Sequence, residues 1–185
     1  IGVTLHHPHG QIYAFPYIPP VVKRELSASK KHYNKTHRCL FCDIVKEEKR
    51  FKKRIVCENK SFIAVVPFYA RYPYEVHILS TKHKSSLADF NDKTCLDFAK
   101  ILKIILLKYD GLFGFSFPFM MVMHQAPVDG KKYPYYHWHL EFYPPYRSKT
   151  KIKYPAGCEA GAGSFINDTL AEEKAEKLRK VKVKF

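Results

Sequence analysis

Residues 7–11 and 137–141 carry one pattern twice: His-x-His, then a polar residue two positions further on. The copies are His7-Pro8-His9-Gly10-Gln11 and His137-Trp138-His139-Leu140-Glu141. On a strand, positions i, i+2 and i+4 share a face. Each copy therefore lines up two imidazoles and an amide or carboxylate along one side of a sheet. Aromatics and then prolines follow both: Tyr13, Phe15 and Pro16 after the first, Phe142, Tyr143, Pro144 and Pro145 after the second. The two read as equivalent strands of two related halves. The first half is reduced to little more than this strand, and the second fills an ordinary domain.

The first copy suits chemistry at phosphorus. Neutral imidazole is a good side-chain nucleophile near pH 7, because a useful fraction is unprotonated there. His9 is the expected nucleophile, with Pro8 stiffening the strand and Gln11 and Thr4 donating to phosphate oxygens. Displacement at phosphorus needs mainly positioning and charge stabilisation, which a row of fixed polar side chains can supply.

The rest of the chain alternates helical and strand signals. Residues 1–15 read as a strand and its exit, closed by Pro16, Pro19 and Pro20. Residues 21–34 are helical and 35–38 form a basic linker. That linker sets the expected division: 1–38 as the last strand and helical extension of a first half, 39–185 as the second. Cys39-Leu40-Phe41-Cys42 comes next. Thiolates at i and i+3 can reach one tetrahedral ion. A redox pair is the rival, but it usually opens a helix after a strand, whereas this pair follows a basic linker.

Residues 54–57, 61–67 and 75–79 read as strands from their β-branched and aromatic content. Glu58-Asn59-Lys60 makes a turn, and 68–74 a loop. Asn91 or Asp92 caps a long helix. Its apolar positions Leu96, Phe98, Ala99, Leu102, Ile105 and Leu106 recur at helical spacing, and Gly111 and Gly114 end it. Residues 118–123 form a short strand leading to His124, and 137–143 the central strand. The small residues between Lys153 and Asn167 allow close backbone approach to a ligand. Residues 170–180 form a charged amphipathic helix capped by Asp168 or Thr169. Strands on one sheet with helices against it make an α+β domain.

The formal net charge is +15. That permits nucleic-acid binding through counterion release. The lysines are scattered rather than striped, so attraction of small anionic substrates is the expected role and nucleic acid is not an expected partner. No run approaches the length of a membrane span, and the first residues lack the basic flank of a signal peptide. They read as a strand entering from preceding sequence. The odd count of 5 cysteines, with one CxxC pair, argues for metal binding in a reducing compartment, the cytoplasm, rather than a disulfide framework.

Two stretches together carry a family resemblance: His7-Pro8-His9-Gly10-Gln11 and Phe142-Tyr143-Pro144-Pro145-Tyr146-Arg147-Ser148. With Arg24-Glu25, His124-Gln125-Ala126-Pro127 and the segment from Glu159 to Asn167, they resemble the galactose-1-phosphate uridylyltransferase family of the histidine-triad superfamily. The resemblance implies a histidine-triad-like antiparallel sheet with flanking helices, here the second of two tandem repeats plus the last strand of the first. It implies zinc held by Cys39, Cys42, His83 and His137, with His7 serving a second zinc in the first half. It implies a further iron-type or zinc centre at Glu25, His124, His139 and Glu141. At that last position the family's pattern has a histidine, so Glu141 departs from it, and a salt-bridged or ribose-binding carboxylate is the alternative there. Lys153 would hold the hexose phosphate and Glu159 the sugar hydroxyls, across a homodimer with shared active sites.

The implied reaction moves a uridylyl group from UDP-glucose to His9 and then to galactose 1-phosphate, through a covalent intermediate with ping-pong kinetics. Other superfamily branches are adenylyl-specific phosphorylases or hydrolases, and the glycine-rich run resembles one such branch. A metal-stabilised nucleic-acid-binding domain is the third class. Donor comparison separates the first two classes, and a salt-dependent oligonucleotide shift indifferent to His9 would mark the third.

Overall fold

The structure, a computed structural model, describes residues 11–184. Its centre is a five-stranded sheet in the order β1-β2-β3-β5-β4. The strands are β1 (Ile55–Glu58), β2 (Phe62–Val65), β3 (Val76–Ser80), β4 (Met120–His124) and β5 (His139–Tyr143). Every pairing is antiparallel. The helices are α1 (Pro20–Thr36), α2 (Leu40–Phe51), α3 (Asp92–Phe113), α4 (Gly157–Ala162) and α5 (Ala171–Lys180). The α+β class expected from the sequence is the class observed.

Strand alternation sends the sheet's side chains into two different layers. On one face Phe62, Ala64, Val76, Ile78, Leu140 and Phe142 pack against Ile101, Ile105 and Tyr109 of α3 and Ala175 and Leu178 of α5. On the other, Ile63, Val65 and Leu79 pack against Cys39, Phe41 and Val45 at the start of α2. The second face also carries the polar residues. His77 lies opposite Glu141 and Leu79 opposite His139, while His124 lies opposite His139. Three strands thus bring His77, His124, His139 and Glu141 onto one side.

The long helix starts where the sequence puts it. Asn91 is the N-cap, and its side chain accepts from the Thr94 amide at 2.9 Å. Gly114 closes the helix in the left-handed region, with φ +76°. Gly111 lies inside the last turn and does not end the helix; a Cβ there would stand 2.6 Å from Val181, so glycine lets the chain after α5 cross closely. The buried stripe is Thr94, Ile101, Ile105, Lys108 and Tyr109. Leu96 and Ala99 are exposed, because they lie on the side of the helix turned away from Thr94 and Phe98, which pack inward.

Other expectations are corrected. The middle strand is β3, with β5 between it and the edge strand β4. The glycine-rich run contains a short helix, α4, because Glu159 folds back to accept from the Ala156 amide at 2.8 Å. The N-cap of α5 is Leu170, which makes no side-chain cap bond. The C-terminus of that helix is satisfied from elsewhere: Lys108 donates to the carbonyls of Leu178, Arg179 and Val181 at 3.1, 3.2 and 2.8 Å. A cation there complements the helix dipole.

Candidate functional site

The CxxC pair opens α2 after all: Cys39 is its N-cap and Cys42 lies in the first turn. That geometry turns both sulfurs towards His137 and His83. Cys39 Sγ lies 3.7 Å from His137 Nδ1, and Cys42 Sγ lies 3.5 Å from His137 Nδ1 and 3.6 Å from His83 Nδ1. A tetrahedral ion with metal–sulfur bonds of about 2.3 Å and metal–nitrogen bonds of about 2.0 Å places neighbouring ligand atoms about 3.6 Å apart. The four side chains fit that requirement. His137 Nε2 donates to the Ser80 carbonyl at 3.0 Å, which leaves the Nδ1 lone pair towards the sulfurs. A hydrogen bond from Cys42, with help from His137 and His83, holds the Cys39 thiol far below its usual range, at about 2. The same bond, with burial, pushes the Cys42 thiol up, so without an ion the two sulfurs keep one proton between them, and a bound soft divalent ion would displace it.

A second group lies farther along the same face. The ligand atoms of Glu25, His124, His139 and Glu141 all fall within 4.8 Å of one another. Helix α1 supplies Glu25, β4 His124, and β5 the other two. Glu25 lies 3.0 Å from His124 Nδ1 and accepts from the Tyr136 hydroxyl at 2.7 Å. His139 Nδ1 donates to the His137 carbonyl at 2.9 Å, and its Nε2, fully buried, has no hydrogen-bond partner. That orphaned lone pair faces Glu141 Oε1 at 3.3 Å. Two carboxylates and two imidazoles with an unused nitrogen are a set that could hold a divalent transition ion. Burial alone would raise both carboxyls. The His124 hydrogen bond outweighs it at Glu25, and the neighbouring His77 and His139 rings do so at Glu141, so both are held below the ordinary range. Burial lowers and the Glu25 hydrogen bond raises His124, with a net rise.

The group continues into residues that sequence reasoning did not single out. Arg71 reaches Glu141 Oε2 at 3.1 Å and the Tyr143 hydroxyl at 2.6 Å, and its guanidinium stacks over the Tyr143 and Phe165 rings. Glu75 accepts from the Arg71 and Tyr72 amides at 2.7 and 3.1 Å and from His77 Nε2 at 2.8 Å. The available signal was the Glu75-Val76-His77 alternation, the same period-two signature that marked His137 and His139. Phe41 lies 4.5 Å from the His139 ring, nearly parallel, and so joins the two clusters.

Lys153 and Glu159 are brought together, but against each other. Their side chains pair at 2.5 Å, and both are buried. Glu159 also accepts from the Ile166 amide at 2.9 Å. The Lys153 hydrogen bond and those amides hold its carboxyl at about 2. Gln11 is exposed and accepts from Tyr13; its described hydrogen bond leads to neither cluster. Thr4, His7 and His9 lie outside the described residues.

The galactose-1-phosphate uridyl transferase C-terminal domain family matches residues 25–185. The chain is 42% identical over 184 residues to a galactose-1-phosphate uridylyltransferase of Thermotoga maritima, covering 99% of this chain and 57% of that protein. It is 30% identical to an ADP-glucose phosphorylase of Arabidopsis thaliana over 97% of this chain and 48% of that protein. A solved uridylyltransferase superposes with a TM-score of 0.90 at 44% identity, over 97% of this chain and 56% of that one. At 19% identity and a TM-score of 0.51, a zinc-bound histidine-triad protein of Mycobacterium smegmatis shares the fold over 77% of this chain and 91% of that one. The chain spans about half the length of the curated relatives it matches. A matched domain covering most of the chain, with high identity along its whole length, places this protein in the galactose-1-phosphate uridylyltransferase family.

Proposed function

We propose that this chain carries the nucleophile of a nucleotidyltransferase that moves a uridylyl group between UDP-glucose and galactose 1-phosphate. The observation that carries the reading is 42% identity to a galactose-1-phosphate uridylyltransferase over 99% of a chain that contains His7-Pro8-His9-Gly10-Gln11. His9 attacks the α-phosphorus of UDP-glucose and releases glucose 1-phosphate. The uridylyl-histidine is then attacked by galactose 1-phosphate, giving UDP-galactose and free His9. Gln11 and Thr4 donate to the phosphate oxygens. Lys153 and Glu159 shape the segment that receives the hexose phosphate.

In the same reading Cys39, Cys42, His83 and His137 hold zinc, which would clip the start of α2 to the end of β3 and the entry to β5. Spacings of 3.5–3.7 Å support that set. Glu25, His124, His139 and Glu141 hold a second ion, zinc or iron, and His7 contributes to a zinc of the other half. The chain divides at 38/39 between the two halves. Exposed Tyr154 and Ile166 in the 153–167 segment, with exposed Leu170 just after it, support a homodimer with shared active sites. The cysteines among the described residues are all unpaired, which supports a cytoplasmic setting. Among those residues no helix is long and apolar enough to cross a membrane.

A second reading, adenylyl transfer, is favoured by the 30% identity to an ADP-glucose phosphorylase. Intact mass after incubation with UDP-glucose or ADP-glucose, without acceptor, separates the two. A uridylyl adduct from UDP-glucose that disappears in His9→Ala supports the proposal. An adduct from ADP-glucose alone moves the chain to the second reading, and no adduct from either donor overturns both for this chain.

A further inference from the structure

Glu141 is gripped from both ends. Its Oε2 meets Arg71 at 3.1 Å and the Tyr143 hydroxyl. Its Oε1 stands between two ring nitrogens, His139 Nε2 at 3.3 Å and His77 Nδ1 at 3.4 Å. Both nitrogens belong to fully buried rings, and neither has a hydrogen-bond partner. The far nitrogen of His77, Nε2, is tied to Glu75 at 2.8 Å, and Glu75 is itself fixed by two backbone amides. His77 and Glu141 face each other across β3 and β5 in register, so neither can swing away without moving a central strand.

The charge count points the same way. Glu25, Glu75 and Glu141 are three carboxylates in this group; the Arg71 guanidinium faces Glu75 and Glu141, and Glu25 meets His124. Buried charge is tolerated only when paired or metal-bound. With Arg71, a divalent ion held between Glu25 and Glu141 would balance the three carboxylates.

We infer that His77, braced by Glu75, is a positioning residue for a divalent transition ion at Glu25, His124, His139 and Glu141: it fixes Glu141 Oε1 as the ligand atom. The inference rests on the proposal that this cluster binds metal. His77 itself stands outside the four ligands; it acts through Glu141. Partners of this kind orient ligating carboxylates, and their loss typically costs about 10- to 100-fold in metal affinity.

The test is metal affinity of the whole chain. Wild type, His77→Leu and His77→Asn are stripped with chelator and titrated with Co(II) against a chromophoric competitor. The sulfur-to-cobalt charge-transfer band reports the cysteine cluster separately. We expect two equivalents on wild type and an unchanged cysteine site in every variant. His77→Leu should weaken the second site by about 10- to 100-fold. His77→Asn should recover most of that affinity, because its amide nitrogen stands where Nδ1 stood. Wild type binding one equivalent, at the cysteines alone, overturns the metal reading itself. Two equivalents with an unchanged second site in His77→Leu overturn the positioning role, as do equal losses in the two variants. Should His77→Leu fail to fold, His77→Gln, with a donor towards Glu75 and none towards Glu141, replaces it in the same comparison.

Discussion

His139 Nδ1 donates to the carbonyl of His137 at 2.9 Å, and this one bond separates two sites on a single stretch of chain. It fixes the His139 tautomer with Nε2 unprotonated, so that nitrogen is left for the second cluster. His137 turns its own Nδ1 the other way, towards Cys39 and Cys42. Phe41, stacked on His139, fills the space between them.

Removing a thiolate should cost stability before chemistry. Cys39→Ser deprives the first cluster of a buried ligand, and structural metal sites contribute directly to folding. We expect a loss of about 3 kcal/mol or more. At about 2–4 °C per kcal/mol for a chain of this size, the melting temperature should fall by at least about 6 °C. Calorimetry of wild type with and without chelator, beside the variant, checks this; a variant that melts as wild type and responds equally to chelator would count against the site.

Arg54 holds together parts of the chain far apart in sequence. It pairs with Glu48 of α2 at 2.9 Å and Glu172 of α5 at 2.8 Å, and Glu48 is almost fully buried. Arg54→Met leaves that carboxylate unpaired, at a cost of about 3–5 kcal/mol. Arg54→Met with Glu48→Met should recover most of the loss, since no buried charge remains. Urea unfolding of the single and double variants decides it: equal losses would mean that packing, not charge, sets the cost.

The segment 153–167 should loosen in acid. Glu159 titrates at about 2 in the fold against an ordinary 4.5. A depressed carboxylate contributes its stability above the ordinary value and loses it as pH falls through the folded one. The amides of Ala156 and Ile166 donate to Glu159, so their exchange protection should drop between those values. Glu159→Gln should show low protection at both amides with no such pH dependence. Amide exchange followed by NMR reads this directly, and protection that is flat with pH in wild type would overturn it.

Trp138 is the largest fully buried side chain and meets Phe62, Phe90 and Phe98 edge-on. Trp138→Ala should destabilise by about 3–5 kcal/mol. Its indole nitrogen has no hydrogen-bond partner, so Trp138→Phe should cost much less, only the lost volume. Chemical denaturation of both variants tests the order; a Phe variant as unstable as the Ala variant would show that the indole nitrogen matters.

Much of the fold was legible because it is written in local signals. The β-branched and aromatic content of residues 54–57, 61–67 and 75–79 marked β1, β2 and β3, and Asn91 marked the start of α3. The four residues of each cluster were legible through family resemblance, and they do converge. Helix α2 was not legible, because Cys39 stands at its N-cap and offers no side-chain cap bond. Glu75 and His77 share a period-two alternation, but nothing local joins them to Glu141, which lies far along the chain and meets His77 only through strand pairing.

The sequence by itself determined which segments form β1, β2 and β3, where the long helix is capped, and that His139 and Glu141 alternate on one strand. Those depend on bonds between near neighbours. Only the tertiary structure decided that His77 faces Glu141, that Lys153 is spent on Glu159, and that His137 and His139 serve different clusters. Strand order and register set those relationships, and both are fixed by burying two faces of one sheet at once, a constraint that no single segment carries.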